Sequence, residues 1–146
     1  MKRVRLTAPL LAMALTLGVA LPAGASSAHS RMEAYRANFA SVYGKFVSAY
    51  KAVITEITVG NRTAFTNTIV NLDADLANLK YNSPSPLVNA DARSWSAAVH
   101  HSVQLGLIYA NAPSAARENA FASVLLATLT PAQKTANAIV HYLKTH

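Results

Sequence analysis

The chain contains no cysteine in 146 residues. That removes disulfides, thiol catalysis, iron–sulfur clusters, cysteine-based zinc sites and covalent c-type haem attachment. It also removes a lipid anchor on an N-terminal cysteine. Charge is scarce, at 13% of residues, and acidic groups scarcer, with 6 Asp and Glu against 13 Lys and Arg. Glycine is rare beyond Gly24, where only Gly44, Gly60 and Gly106 remain. No Gly-x-Ser-x-Gly elbow and no glycine-rich phosphate loop occur, so the local signatures of the commonest nucleophile and nucleotide sites are missing. Alternating polar and apolar runs are few, which argues against strands. No apolar run reaches the roughly 20 residues needed to cross a bilayer.

What is present begins with the first 25 residues. Lys2, Arg3 and Arg5 are followed by the uncharged run Leu10 to Leu21, and then by Pro22-Ala23-Gly24-Ala25. A charged start, a short apolar middle and small residues at Ala23 and Ala25 predict a secretory signal peptide over residues 1–25. The working chain is then residues 26–146, one domain in a secreted or periplasmic setting. A domain of that size buries enough surface to fold without cross-links. Removing the three leader cations leaves ten Lys and Arg against six Asp and Glu, a net +4 beside +7 for the whole chain. These cations are dispersed along the sequence, unlike the dense patch of a nucleic-acid binder, so no nucleic-acid partner is expected.

The spacing of apolar residues predicts an all-α fold. Ser30-Arg31-Met32-Glu33 has the form of a capping box. Beyond it Tyr35, Phe39, Val42, Tyr43, Phe46, Val47, Tyr50, Val53, Ile54 and Ile57 form a broad stripe, ended by Gly60. Asn61 is placed to cap a second helix. Its Phe65, Ile69, Leu72, Leu76 and Leu79 recur at alternating steps of four and three. The segment 81–86 carries two prolines and breaks that helix. Ser85 with Pro86 opens a third helix, whose inner face is Val88, Trp95, Val99, Val103 or Ser102, Gly106 and Tyr109. A fourth segment from about Pro113 to Leu129 turns Phe121, Val124, Leu125 and Leu129 inward. Thr130-Pro131-Ala132-Gln133 then has the form of another helix start, with Ala136, Ile139, Val140 and Leu143 inward after it. The expected architecture is an antiparallel up-and-down four-helix bundle whose last arm is broken at Thr130-Pro131, giving five helical segments.

Few residues point to chemistry. Asp73 and Asp75 are two apart, about 200° around a helix, and cannot share one site. Glu33, Glu56, Asp91 and Glu118 lie on separate segments. His100 and His101 are adjacent and diverge by about 100°, so they hold a metal together only with ligands from other helices. Met32, near the start of the first helix, and His141, near the end of the last, form a Met and His pair of the kind that ligates haem. In this they resemble the exported b-type cytochrome bundles, which implies haem b held by Met32 and His141 as an alternative function. Leu129-Thr130-Pro131-Ala132-Gln133 is similar to the Leu-Thr-x-x-Gln motif of the periplasmic helical stress chaperones. It occurs once here and twice in that family, and a capping box accounts for it as well. Asn61-Arg62-Thr63 is a glycosylation sequon, meaningful only in a eukaryotic secretory path.

Tyr35, Phe39, Tyr43, Phe46 and Tyr50 form a ladder at steps of four, four, three and four. With Trp95 and Tyr109 they supply either a plain core stripe or the lining of a ligand pocket or partner surface. The function expected from the sequence is therefore non-enzymatic: interaction with a partner protein, a cell surface or a small apolar ligand, with Tyr35, Tyr43, Tyr50 and Trp95 as binding residues. A copy of the chain is a further candidate partner, since about half of the residues are apolar.

Overall fold

The structure, a computed structural model, describes residues 27–111 and 115–146, with side chains omitted for 115–119, 121, 122 and 126. The leader segment 1–25 and the inward placement of Phe121 lie outside what is described. Among the described residues the fold is all-α. Its four helices are α1 (Ser27–Val59), α2 (Arg62–Leu76), α3 (Pro86–Ala110) and α4 (Ala115–Thr145).

Local chemistry accounts for the breaks. Gly60 takes φ +72°, a left-handed conformation in which a Cβ is strained. The amide of Asn61 then reaches back to the Glu56 carbonyl at 2.9 Å, closing the end of α1. The Asn61 side chain accepts from the Ala64 amide at 3.1 Å and caps α2. Ser85 caps α3, and Pro86 occupies its first turn. A feature not anticipated from the sequence steadies the connection between α2 and α3. Asn89 accepts from the Ser83 amide and donates to the Ser83 carbonyl, both at 2.9 Å. This two-way bond ties the connecting segment to the first turn of α3.

Four expectations are corrected. α1 is already helical at Ser27, ahead of the expected cap at Ser30. The Glu33 carboxylate bonds the Arg36 guanidinium instead of reaching back toward the chain start. α2 ends at Leu76, yet Leu79 still reaches the core from the turn beyond it, at 5% exposure, its amide bonded to the Leu76 carbonyl at 3.0 Å. The third correction is the largest. The expected break at Thr130-Pro131 does not occur: α4 runs through Pro131 as one helix, so the segments number four. Leu125, Leu129, Ala132, Ala136, Ile139, Val140 and Leu143 are all buried. They recur at three- and four-residue spacings, with Ile139 and Val140 side by side, and stay in phase across the proline, so one seam rewards one unbroken helix. Pro131 and Ala127 sit on the exposed side. The Ala127 carbonyl, deprived of its usual amide partner at position 131, therefore faces water and not the core. The same register turns Val124 outward, at 49% exposure, against the inward position expected for it.

The helices pack in a ring: α1 against α2, α2 against α3, α3 against α4, with α4 touching α1 more lightly. α1 and α2 run antiparallel, as the cross-links show. Asn38 bonds the chain at Asn78 and Lys80, Lys45 pairs with Asp75 at 2.6 Å, and Glu56 accepts from Thr68 at 2.8 Å. α2 and α3 are likewise antiparallel, with Asp73 beside His100 and Phe65 edge-on to Tyr109 at 4.9 Å. Gly106 permits this approach, because a Cβ there would stand 3.0 Å from Ile69 Cδ1. Inside the ring a single hydrophobic core draws on all four helices.

Candidate functional site

The aromatic ladder of α1 is the inner wall of this core. Successive rings lie at 6.3, 5.8, 6.1 and 6.2 Å from Tyr35 through Phe39, Tyr43 and Phe46 to Tyr50, with planes within 28° of one another. The steps of three and four residues bring each ring above the last on one helix face. Trp95 of α3 lies across the middle of the ladder, 5.5 Å from Phe39, 6.1 Å from Tyr43 and 5.4 Å from Phe46, tilted or edge-on to each. Such offset and edge contacts each add about 0.5–1.5 kcal/mol to what burial alone provides.

Burial decides what the ladder can meet. Tyr35 and Trp95 are wholly buried, Tyr43 is 7% exposed, and Tyr50 is half-buried at the margin of the core. In this conformation Tyr35, Tyr43 and Trp95 present no outer surface to a macromolecule. Their polar tips differ sharply. The Tyr43 hydroxyl accepts from Gln133 Nε2 at 2.6 Å, and Gln133 also donates to Asn137 at 3.0 Å, which links α1 to α4. The Tyr35 hydroxyl and the Trp95 indole N–H, both fully enclosed, find no hydrogen-bond partner in the protein. A buried donor without an acceptor costs about 1–3 kcal/mol, and most proteins avoid it.

The surroundings of Tyr35 sharpen this. Burial, then the neighbouring Tyr81 hydroxyl, then the Asp91 carboxylate push its pKa up to about 12, so the phenol stays protonated. Asp91 stands one helical turn before Trp95 on α3. The Arg93 guanidinium lies over the Tyr81 ring at 5.1 Å, a cation–π contact at the rim of the same region. Beside Tyr35 on α1, Arg36 is 9% exposed; one arm bonds Glu33, and its Nε has no partner. Tyr50 is also shifted upward, by burial. The lone hydroxyl and indole N–H were not legible in the sequence, because pairing depends on what the other helices bring within reach.

The remaining candidate residues are dispersed. Met32 is buried in the core, whereas His141 is exposed on α4, between the core residues Val140 and Leu143. The two are therefore not brought together as an inward-facing axial pair. His100 is exposed and shares a 2.7 Å hydrogen bond with Asp73 of α2; His101 is exposed on the next position of α3. Among the described residues no three His, Asp or Glu side chains gather into a metal-binding set, and no described helix is long and apolar enough to cross a membrane. Asp73 and Asp75 serve different partners, His100 and Lys45. The chain matches no family model, no curated protein and no solved structure.

Proposed function

We propose that the chain is an exported, non-enzymatic binding protein whose ligand is a small, largely apolar molecule held against the α1 ladder and Trp95. The observation that carries this reading is the pair of enclosed donors, Tyr35 Oη and Trp95 Nε1, left without acceptors inside a wall of aromatic rings. Small-ligand sites commonly combine an apolar aromatic lining with a few polar groups that fix orientation. A protein partner or a cell surface is less favoured, since the aromatic residues that would anchor it are enclosed. The leader pattern of Lys2, Arg3, Arg5 and Leu10–Leu21 supports export. Separate partners for Asp73 and Asp75 support a binding role over acid–base catalysis.

Native mass spectrometry of protein purified without denaturant tests the proposal. The expected result is a mature chain beginning at Ser26 that carries one small molecule, with a Trp95 emission shift when organic solvent strips it. Trp95 is the sole tryptophan, so the signal reports on this site alone. Stripped and unstripped protein identical in mass and emission would refute ligand binding. A mature chain that retains Leu10–Leu21 would refute export.

A further inference from the structure

α3 carries two seams. The inner one, Val88, Ala92, Trp95, Val99, Val103 and Tyr109, is buried in the core. On the opposite side Leu87, Ala90, Ser94, Ala97, His101, Gln104 and Ile108 are all exposed. They recur at alternating steps of three and four residues over three heptads, the spacing with which one helix meets another. None of them is Asp, Glu, Lys or Arg. Leu87 and Ile108 close the two ends, at 68% and 63% exposure. Among the described residues no other helix leaves two large apolar side chains in water.

This outer stripe is its own complement. Laid antiparallel on a second copy and centred on Ala97, it sets Leu87 against the copy's Ile108 and Ala90 against its Gln104. Ser94 then meets the copy's His101, and Ala97 meets its own counterpart. The large side chains oppose one another at both ends. The small pair at the two-fold axis lets the backbones approach closely. The Ser94 hydroxyl has an imidazole opposite it as hydrogen-bond partner. Such self-matching is what a two-fold interface requires, because one patch must serve both sides.

Charge agrees with the same register. His100 flanks the stripe on the side of α2, where it shares its 2.7 Å bond with Asp73. Arg93, also exposed, lies one heptad earlier on that flank. Antiparallel pairing about Ala97 brings each Arg93 within about 3 Å, measured along the helix axis, of the level of the copy's His100 and Asp73. A guanidinium thus faces a carboxylate on the rim of the contact, twice by symmetry.

We propose that the protein forms a two-fold dimer through the outer face of α3, antiparallel to its copy and centred on Ala97. The ligand proposed above lies inside the bundle and this face lies outside it, so neither reading depends on the other.

Sedimentation equilibrium of the purified protein from about 1 μM to about 1 mM tests for the dimer. Monomer is expected to give way to dimer across that range. Ala97→Glu changes an exposed position and leaves the core untouched. It sets two carboxylates face to face at the axis and should weaken the dimer about a hundredfold, with helical dichroism unchanged. Arg93→Ala should weaken it about fivefold. The chain has no cysteine, so an introduced thiol reports on register alone. Under oxidation Ala97→Cys should cross-link to itself far faster than Ser48→Cys, an exposed position on α1. Leu87→Cys should cross-link to Ile108→Cys when the two variants are mixed, and neither to itself. A monomer at every concentration would overturn the proposal, whatever else covers the face. A dimer indifferent to Ala97→Glu, or Ala97→Cys linking no faster than Ser48→Cys, would move the contact to another surface. Leu87→Cys linking to itself would refute the antiparallel register, and a full-strength Arg93→Ala dimer the charge pairing.

Discussion

Removing one oxygen atom should make this protein more stable. In Tyr35→Phe the ring stays, with its full burial and its 6.3 Å stack on Phe39. The hydroxyl that goes has no partner in the protein. The substitution therefore surrenders no hydrogen bond and relieves a desolvation cost of about 1–3 kcal/mol. A stabilisation of about 1–2 kcal/mol is expected, which for a domain of this size raises Tm by roughly 3–8 °C. The proper control has the same chemistry and the opposite sign. Tyr43→Phe deletes a hydroxyl that accepts from Gln133 at 2.6 Å, so it should cost about 1 kcal/mol. Urea melts followed by helical dichroism, at equal m-values, give both numbers in one experiment. A destabilised Tyr35→Phe, or two changes of the same sign, would refute the reasoning, because the Tyr35 hydroxyl would then have an acceptor.

Alkaline pH probes the same group. Because the folded protein holds the Tyr35 proton more tightly than the unfolded chain does, stability is intact below about pH 10 and declines as pH climbs toward 12, with Tyr50 contributing in the same direction. Tyr35→Phe should flatten this decline; equal alkaline losses in both proteins would contradict the cause assigned. Pro131→Ala supplies the amide that Ala127 lacks and should stabilise α4 by about 1–3 kcal/mol. A lower Tm would indicate that the proline is required where it stands. Gly44→Ala, where a Cβ meets nothing within 4 Å, should add up to about 1 kcal/mol through helix propensity. Gly106→Ala pushes against Ile69 and Phe65 and should fall short of that gain; equal thermal shifts would show that the α2–α3 contact yields freely.

The helices of α1, α2 and α3 were legible because their stripes, their caps at Asn61 and Ser85 and the stop at Gly60 all agreed. Sequence reasoning failed at Pro131, where a strong local signal was outweighed by a distributed one. A capping box and a proline mark a start, but seven buried residues in phase across it reward continuity, and the missing hydrogen bond faces water. The Met32 and His141 pairing failed for a related reason. Proximity at a bundle end was inferred from topology, whereas the rotation of α4 turns His141 outward. The aromatic ladder was visible as spacing, but not its sealed state or its two unpaired donors. Those depend on how Trp95 and the start of α3 approach α1 from 40 or more residues away.

The ring of helices is not equally tight all the way round. α4 leans chiefly on α3 and meets α1 along a thin line, fastened there by the bond between Gln133 and Tyr43. Native proteins breathe first where least is glued together. The molecule therefore unzips most readily between its first and last helices, and the side bared by that parting is the one where Tyr43 leads inward to Trp95. Hydrogen exchange should register the parting first in α1, whose packing on its neighbours is the thinnest, and last in α3, which is held on both sides.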